Sequence, residues 1–171
     1  MSEEERGEGG EGAAPERSLL AIDLGLRLGF ARYDARGRLL GYRSQHYGSR
    51  AKLKGAVFGI LAESPGLEAL ILEGDKNLGG LFARLARKRG AEVIWTDARQ
   101  WREALMPSRD RRSGADAKQS ADGLARSVIE WSGAPRPTSL RHDAAEAILI
   151  GLWGAHRVGW LDELPEFGAG A

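Results

Sequence analysis

The sequence predicts an α/β domain built on a five-stranded mixed sheet with helices on both faces. Three observations predict it. Three strand-like runs joined by tight connections occupy residues 18–47. From about Lys52 to Asp97, helical and strand periods alternate. Beyond that point the apolar spacing is helical to the end of the body. Sequential strands pair as an antiparallel meander, whereas strands reached through helices pair in parallel, and the combination is a mixed sheet.

The elements follow in order. "SLLAIDL" (18–24), "LGFARYD" (28–34) and "RLLGYRSQHY" (38–47) read as the first three strands, with "ARG" (35–37) as a hairpin turn. Leu53, Ala56, Val57, Ile60 and Leu61 share one helical stripe. "LEALILE" (67–73) has the apolar density of a central strand buried on both faces. "NLGGLFARLARKRG" (77–90) predicts a helix ending at Gly90, where glycine most easily adopts a left-handed cap. "AEVIWTD" (91–97) is the fifth strand, followed by a short helix in "ARQWREALM". The polar run "PSRDRRSGAD" reads as a loop, broken by Pro107 and Gly114. "AKQSADGLARSVIEW" (117–131) places Ala121, Leu124, Ala125, Val128 and Ile129 at helical spacing. The last helix runs through "RHDAAEAILIGLWG" (141–154), with Thr138 or Ser139 as its expected N-cap.

Composition bounds the function. A chain of 171 residues suits one domain with a sizeable core. It contains no cysteine, which excludes disulfides, thiol catalysis and thiolate metal sites, so any metal must be held by oxygen or imidazole. No apolar run approaches a membrane span and no signal-peptide pattern opens the chain, so a cytoplasmic location with no membrane partner is expected. Residues 1–17 hold six Glu against two Arg, a balance of −4, which leaves +5 on the rest of a chain whose net charge is +1. This glycine-rich acidic segment is expected to be a disordered tail, 18–160 the folded domain, and 161–171 an exposed C-terminal tail. The basic excess gathers in 84–90 and 99–118, which points to a polyanionic partner.

Carboxylates at the ends or in the middle of apolar elements carry the chemistry. Asp23 interrupts the first strand, with apolar residues on both sides, where an unpartnered charge is costly to bury. Glu73 ends the fourth strand, which a crossover would set beside the first; Asp75, two residues on, competes with it for the role. Asp143 and Glu146 are three apart on a helix and so share a face. Taken alone, that pair is better accounted for by complementing the helix dipole. Convergence of all four acids would raise their pKa values unless divalent cations lay between them. Mg²⁺ prefers such oxygen ligands, and two ions ~4 Å apart can activate water for phosphodiester hydrolysis. His142 reads as a capping or surface histidine before it reads as a ligand. The tryptophans read as packing residues, with Trp101, beside Arg102, the one candidate for stacking on a base.

Four segments in order, "LLAIDLGLRLGFARYD", "LILEGDKN", "DARQWREALMPSRDRRSGADAKQSADGLARSVIEW" and "HDAAEAILIGLWGAH", together resemble the RuvC group of Holliday-junction resolvases, in the RNase H-like superfamily. The resemblance spans roughly residues 18 to 156. It implies an RNase H-like fold and a Mg²⁺-dependent endonuclease, with Mn²⁺ as a substitute. It implies a homodimer that makes paired nicks across four-way DNA junctions. By position it assigns catalysis and metal ligation to Asp23, Glu73, Asp143 and Glu146. Lys118 and Arg102, with Arg111 and Arg112 from the basic loop, would bind nucleic acid, and His142 would be accessory. Two departures stand out: the stretch between Glu73 and "DARQWRE" is shorter than in bacterial resolvases, and "EGDKN" has no aromatic residue after the glutamate. The same superfamily also includes nucleases acting on RNA, among them pre-ribosomal-RNA-processing proteins. A non-catalytic nucleic-acid-binding module is a further reading. "AIDLGLRLGFARYD" resembles, in addition, the first phosphate loop of actin-like kinases, which need two such domains and a second loop.

Overall fold

The computed structural model describes residues 16–111 and 113–168. Residues 1–15, which make up most of the expected acidic tail, lie outside the described residues, as does Arg112. Five strands form one sheet: β1 (Ser18–Leu24), β2 (Arg27–Asp34), β3 (Leu39–His46), β4 (Leu67–Gly74) and β5 (Glu92–Thr96). Their order is β3-β2-β1-β4-β5. β1, β2 and β3 pair antiparallel, while β4 lies parallel to both β1 and β5. The expected five-stranded mixed sheet is therefore present. In the β2–β3 turn, Asp34 Oδ1 accepts the backbone N–H groups of Arg36 and Arg38 at 2.9 and 3.0 Å. Gly37 supplies the left-handed conformation there, with φ of +74°.

Side-chain alternation divides each central strand between two cores. Leu20, Ile22 and Leu24 face a layer containing α1 (Arg50–Ala62) and α2 (Lys76–Lys88), with Leu53, Val57, Leu61 and Phe82 against them. Leu19 and Ala21 face the opposite layer, formed by α3 (Ala98–Leu105), α4 (Gly114–Ser132) and α5 (His142–Arg157). By the same alternation Asp23 points to the α5 side, and so does Glu73, which follows Ala69 and Ile71 on β4. Asp23 and Glu73 are register partners across the parallel β1–β4 pair. The sheet thus delivers two acids side by side to one helix.

α5 lies close on that sheet because glycines make room for it. A Cβ on Gly29 of β2 would sit 1.8 Å from the Asp143 carbonyl oxygen, and one on Gly154 would sit 2.5 Å from Ile71. Tyr33, fully buried on β2, donates its hydroxyl to the Ile148 carbonyl. Apolar side chains cover nearly every remaining face of α5.

Three expectations need correction. The N-cap of α5 is Arg141, with no side-chain capping bond, rather than Thr138 or Ser139. The contact of Asp143 with Gly29 fixes where this helix starts, whatever capping residues precede it. α4 begins at Gly114, before the expected 117, because Ser113 Oγ accepts the Asp116 N–H at 3.0 Å and donates back to Asp116 Oδ2 at 2.7 Å. The described part of the expected exposed tail, 161–168, is not simply exposed. Leu161, Leu164 and Phe167 pack against the α4–α5 core, and Phe167 meets Trp131 edge to face at 6.0 Å. Among the described residues, no helix is long and apolar enough to cross a membrane.

Candidate metal centre

The C-terminal ends of β1 and β4 and the first turns of α5 meet over the middle of the sheet. One carboxylate oxygen each from Asp23, Glu73 and Glu146 lies within 4.8 Å of the others. Ligand oxygens opposite one another on a Mg²⁺ ion are about 4.2 Å apart, so small inward shifts would close this group on a cation. Glu146 is the one charged side chain buried among the described residues. Its Oε1 accepts from Arg102 Nη2 at 2.6 Å and lies 3.2 Å from His142 Nε2. Asp143, one turn earlier, is not in the close group. Its Oδ2 accepts the hydroxyl of Ser44 on β3 at 2.5 Å.

The electrostatics follow from crowding and burial. Asp23 is pushed up to about 8, first by its removal from water and then by the charges of Glu146, Glu73 and Asp143. Glu73 is pushed up to about 7 by burial and by Glu146, against the opposing pull of the Arg102 guanidinium. The Trp101 indole N–H also favours the Glu73 carboxylate. It falls short of hydrogen-bond geometry, leaving Trp101 Nε1 and Glu73 Oε2 buried without partners. A hard divalent cation fits this donor set. It would supply the charge that three crowded carboxylates lack and give Glu73 Oε2 a partner.

The expected residues divide accordingly. Asp23, Glu73 and Glu146 come together, while Asp143 stands beside them, tethered by Ser44. Asp75 drops out as a rival to Glu73: it caps α2, accepting the N–H groups of Asn77 and Leu78 at 2.8 and 3.2 Å, and pairs with Arg50 at 3.0 Å. Arg102, expected on phosphate, turns inward and pairs with Glu146 at 2.6 Å. Trp101 cannot stack on a base, since it is 0% exposed with its ring in the core. Lys118 is exposed early in α4, with no ion pair among the described residues. Arg111 belongs to a 3₁₀ turn, Ser108–Arg111. Sequence reasoning missed Ser44. A small polar residue in an edge strand carries no signal until the strand is laid against α5.

No protein-family model matches the chain, and no curated protein matches it. Among solved structures it is similar to T. thermophilus RuvC in complex with Holliday junction substrate, with a TM-score of 0.55 and 18% identity over 84% of this chain and 97% of that one. The fold is RuvC-like. The expected five-stranded mixed sheet with helices on both faces is thereby shared with a solved structure, and this RuvC-like sheet is the platform on which Asp23 and Glu73 stand.

Proposed function

We propose that the protein is a divalent-cation-dependent endonuclease that cuts DNA, with four-way junctions as its substrate. The observation that carries this reading is the convergence of Asp23, Glu73 and Glu146 within 4.8 Å on a RuvC-like sheet. The junction DNA bound by the RuvC neighbour and the order of the four sequence segments support the choice of substrate. Asp23, Glu73 and Glu146 would hold the ion, Mg²⁺ or Mn²⁺, which when bound supplies a more acidic water and neutralises charge on the scissile phosphate. Asp143, fixed by Ser44, borders the same site and can orient the attacking water or a second ion. His142, within reach of Glu146, can take up or release a proton beside it. Lys118, Arg111 and Arg112 would meet the phosphate backbone. Paired nicks in a junction require two such sites, hence a homodimer.

A panel of mobile four-way junction, duplex DNA, single strands and RNA–DNA hybrid, each with Mg²⁺ or Mn²⁺, tests the reading. Cleavage of the junction ahead of the other substrates is expected. Asp23→Asn should abolish cutting while leaving junction binding intact. Preference for linear RNA would reject the substrate assignment, and undiminished cutting by Asp23→Asn would reject the site.

A further inference from the structure

Among the described residues, three buried side-chain polar atoms have no partner, and all three belong to one spot: Glu73 Oε2, Trp101 Nε1 and Arg102 Nε. Two of them come from successive residues of α3. Trp101 is completely buried, yet its N–H is turned toward Glu73 instead of being satisfied within the core. Arg102, its neighbour, reaches Glu146 with Nη2 at 2.6 Å. α3 therefore aims a donor toward one acid of the cluster, short of hydrogen-bond geometry, and pairs a positive charge with another.

That arrangement restricts which oxygens are free. Glu146 Oε1 is engaged by Arg102 and faces His142. Asp143 Oδ2 is engaged by Ser44. The acids that stand close enough to share one ion are Asp23, Glu73 and Glu146, with one oxygen from each within 4.8 Å of the others, while Asp143 stands outside that group. Formal charge gives the same answer without geometry. With Asp23, Glu73, Asp143 and Glu146 ionised, the cluster carries −4, and Arg102 returns +1. One divalent ion leaves it at −1, still attractive to cations. A second would take it to +1, and would have to displace a guanidinium from its carboxylate as well.

We propose that Arg102 is a resident counter-ion that limits the DNA-free protein to one divalent cation, held by Asp23, Glu73 and Glu146. A second ion enters only when the guanidinium leaves Glu146, as it would on meeting a phosphate. Arg102 is in this sense a positioning residue that sets metal occupancy. The inference rests on the metal-centre reading above and departs from the two resident ions that the sequence suggested.

Mn²⁺ binding to the full chain without DNA, followed by titration calorimetry and by the loss of the free-ion paramagnetic resonance signal, tests it. One Mn²⁺ per chain is expected for the unmodified protein and for Arg102→Lys, which keeps the charge. Two are expected for Arg102→Gln, in which four ionised acids balance two divalent ions. Two equivalent ions in the unmodified protein would overturn the inference while leaving the metal centre intact. A single ion in a folded Arg102→Gln, checked by circular dichroism, would also overturn it. No Mn²⁺ bound by the unmodified protein would overturn the metal-centre reading itself, and the inference with it.

Discussion

Replacing Asp23 by Asn removes one charge from a cluster in which burial, Glu146, Glu73 and Asp143 hold Asp23 at about 8. In the unfolded chain the same carboxyl titrates near 3.8. Between these values the folded state binds more protons than the unfolded state, so stability is fully present below the lower value and is lost as pH rises through the higher one. At ~1.4 kcal/mol per pH unit, the interval from 3.8 to about 8 corresponds to about 6 kcal/mol as an upper bound. Asp23 keeps some exposure and its neighbours share the repulsion by protonating in turn. Asn should therefore recover ~2–3 kcal/mol at about pH 9 without metal, a rise in Tm of roughly 4–10 °C for a chain of this size. The gain should shrink toward zero as the pH is lowered to about 4. Thermal denaturation followed by circular dichroism, with chelator across this pH range, reads the effect. Saturating Mg²⁺ should reverse the ranking, because only the unmodified protein keeps all three ligands. An Asn variant no more stable than its parent at high pH, or equally stabilised at every pH, would refute the reasoning.

Other perturbations probe what holds the site. Gly29→Ala places a methyl 1.8 Å from the Asp143 carbonyl, so we expect a loss of ~3 kcal/mol or more in urea unfolding, with weakened Mn²⁺ binding as the start of α5 moves away. Parent-like stability would show that the approach of α5 to β2 is not tight. Tyr33→Phe removes the hydroxyl donated to Ile148 and should cost ~1–1.5 kcal/mol while leaving Mn²⁺ stoichiometry unchanged. Trp101→Phe keeps most of the ring and deletes the N–H that favours ionised Glu73. Cation binding requires deprotonated carboxylates, so the pH midpoint of Mn²⁺ binding should move upward in this variant. An unmoved midpoint would remove Trp101 from the site.

The sequence by itself determined the layers and most of the acids. Alternating and helical apolar periods are local properties of the chain, and they were enough to order three antiparallel strands, two crossovers and a helical C-terminal half. Asp23 was legible because a carboxylate within "LLAIDL" has no inexpensive structural explanation. Asp143 and Glu146 were legible as a pair from their spacing, although not as unequal partners. Tertiary structure decided the rest, because each point depends on what stands across a gap from residues distant in the chain. Register on parallel strands made Glu73, and not Asp75, the neighbour of Asp23. The fit of α5 over Gly29 set its first residue regardless of capping preference. β3 brought Ser44 to Asp143, and α3 turned Arg102 and Trp101 inward. Crowded carboxylates in a poorly solvated site draw in the nearest cation and donor, and only the folded chain specifies which residues those are.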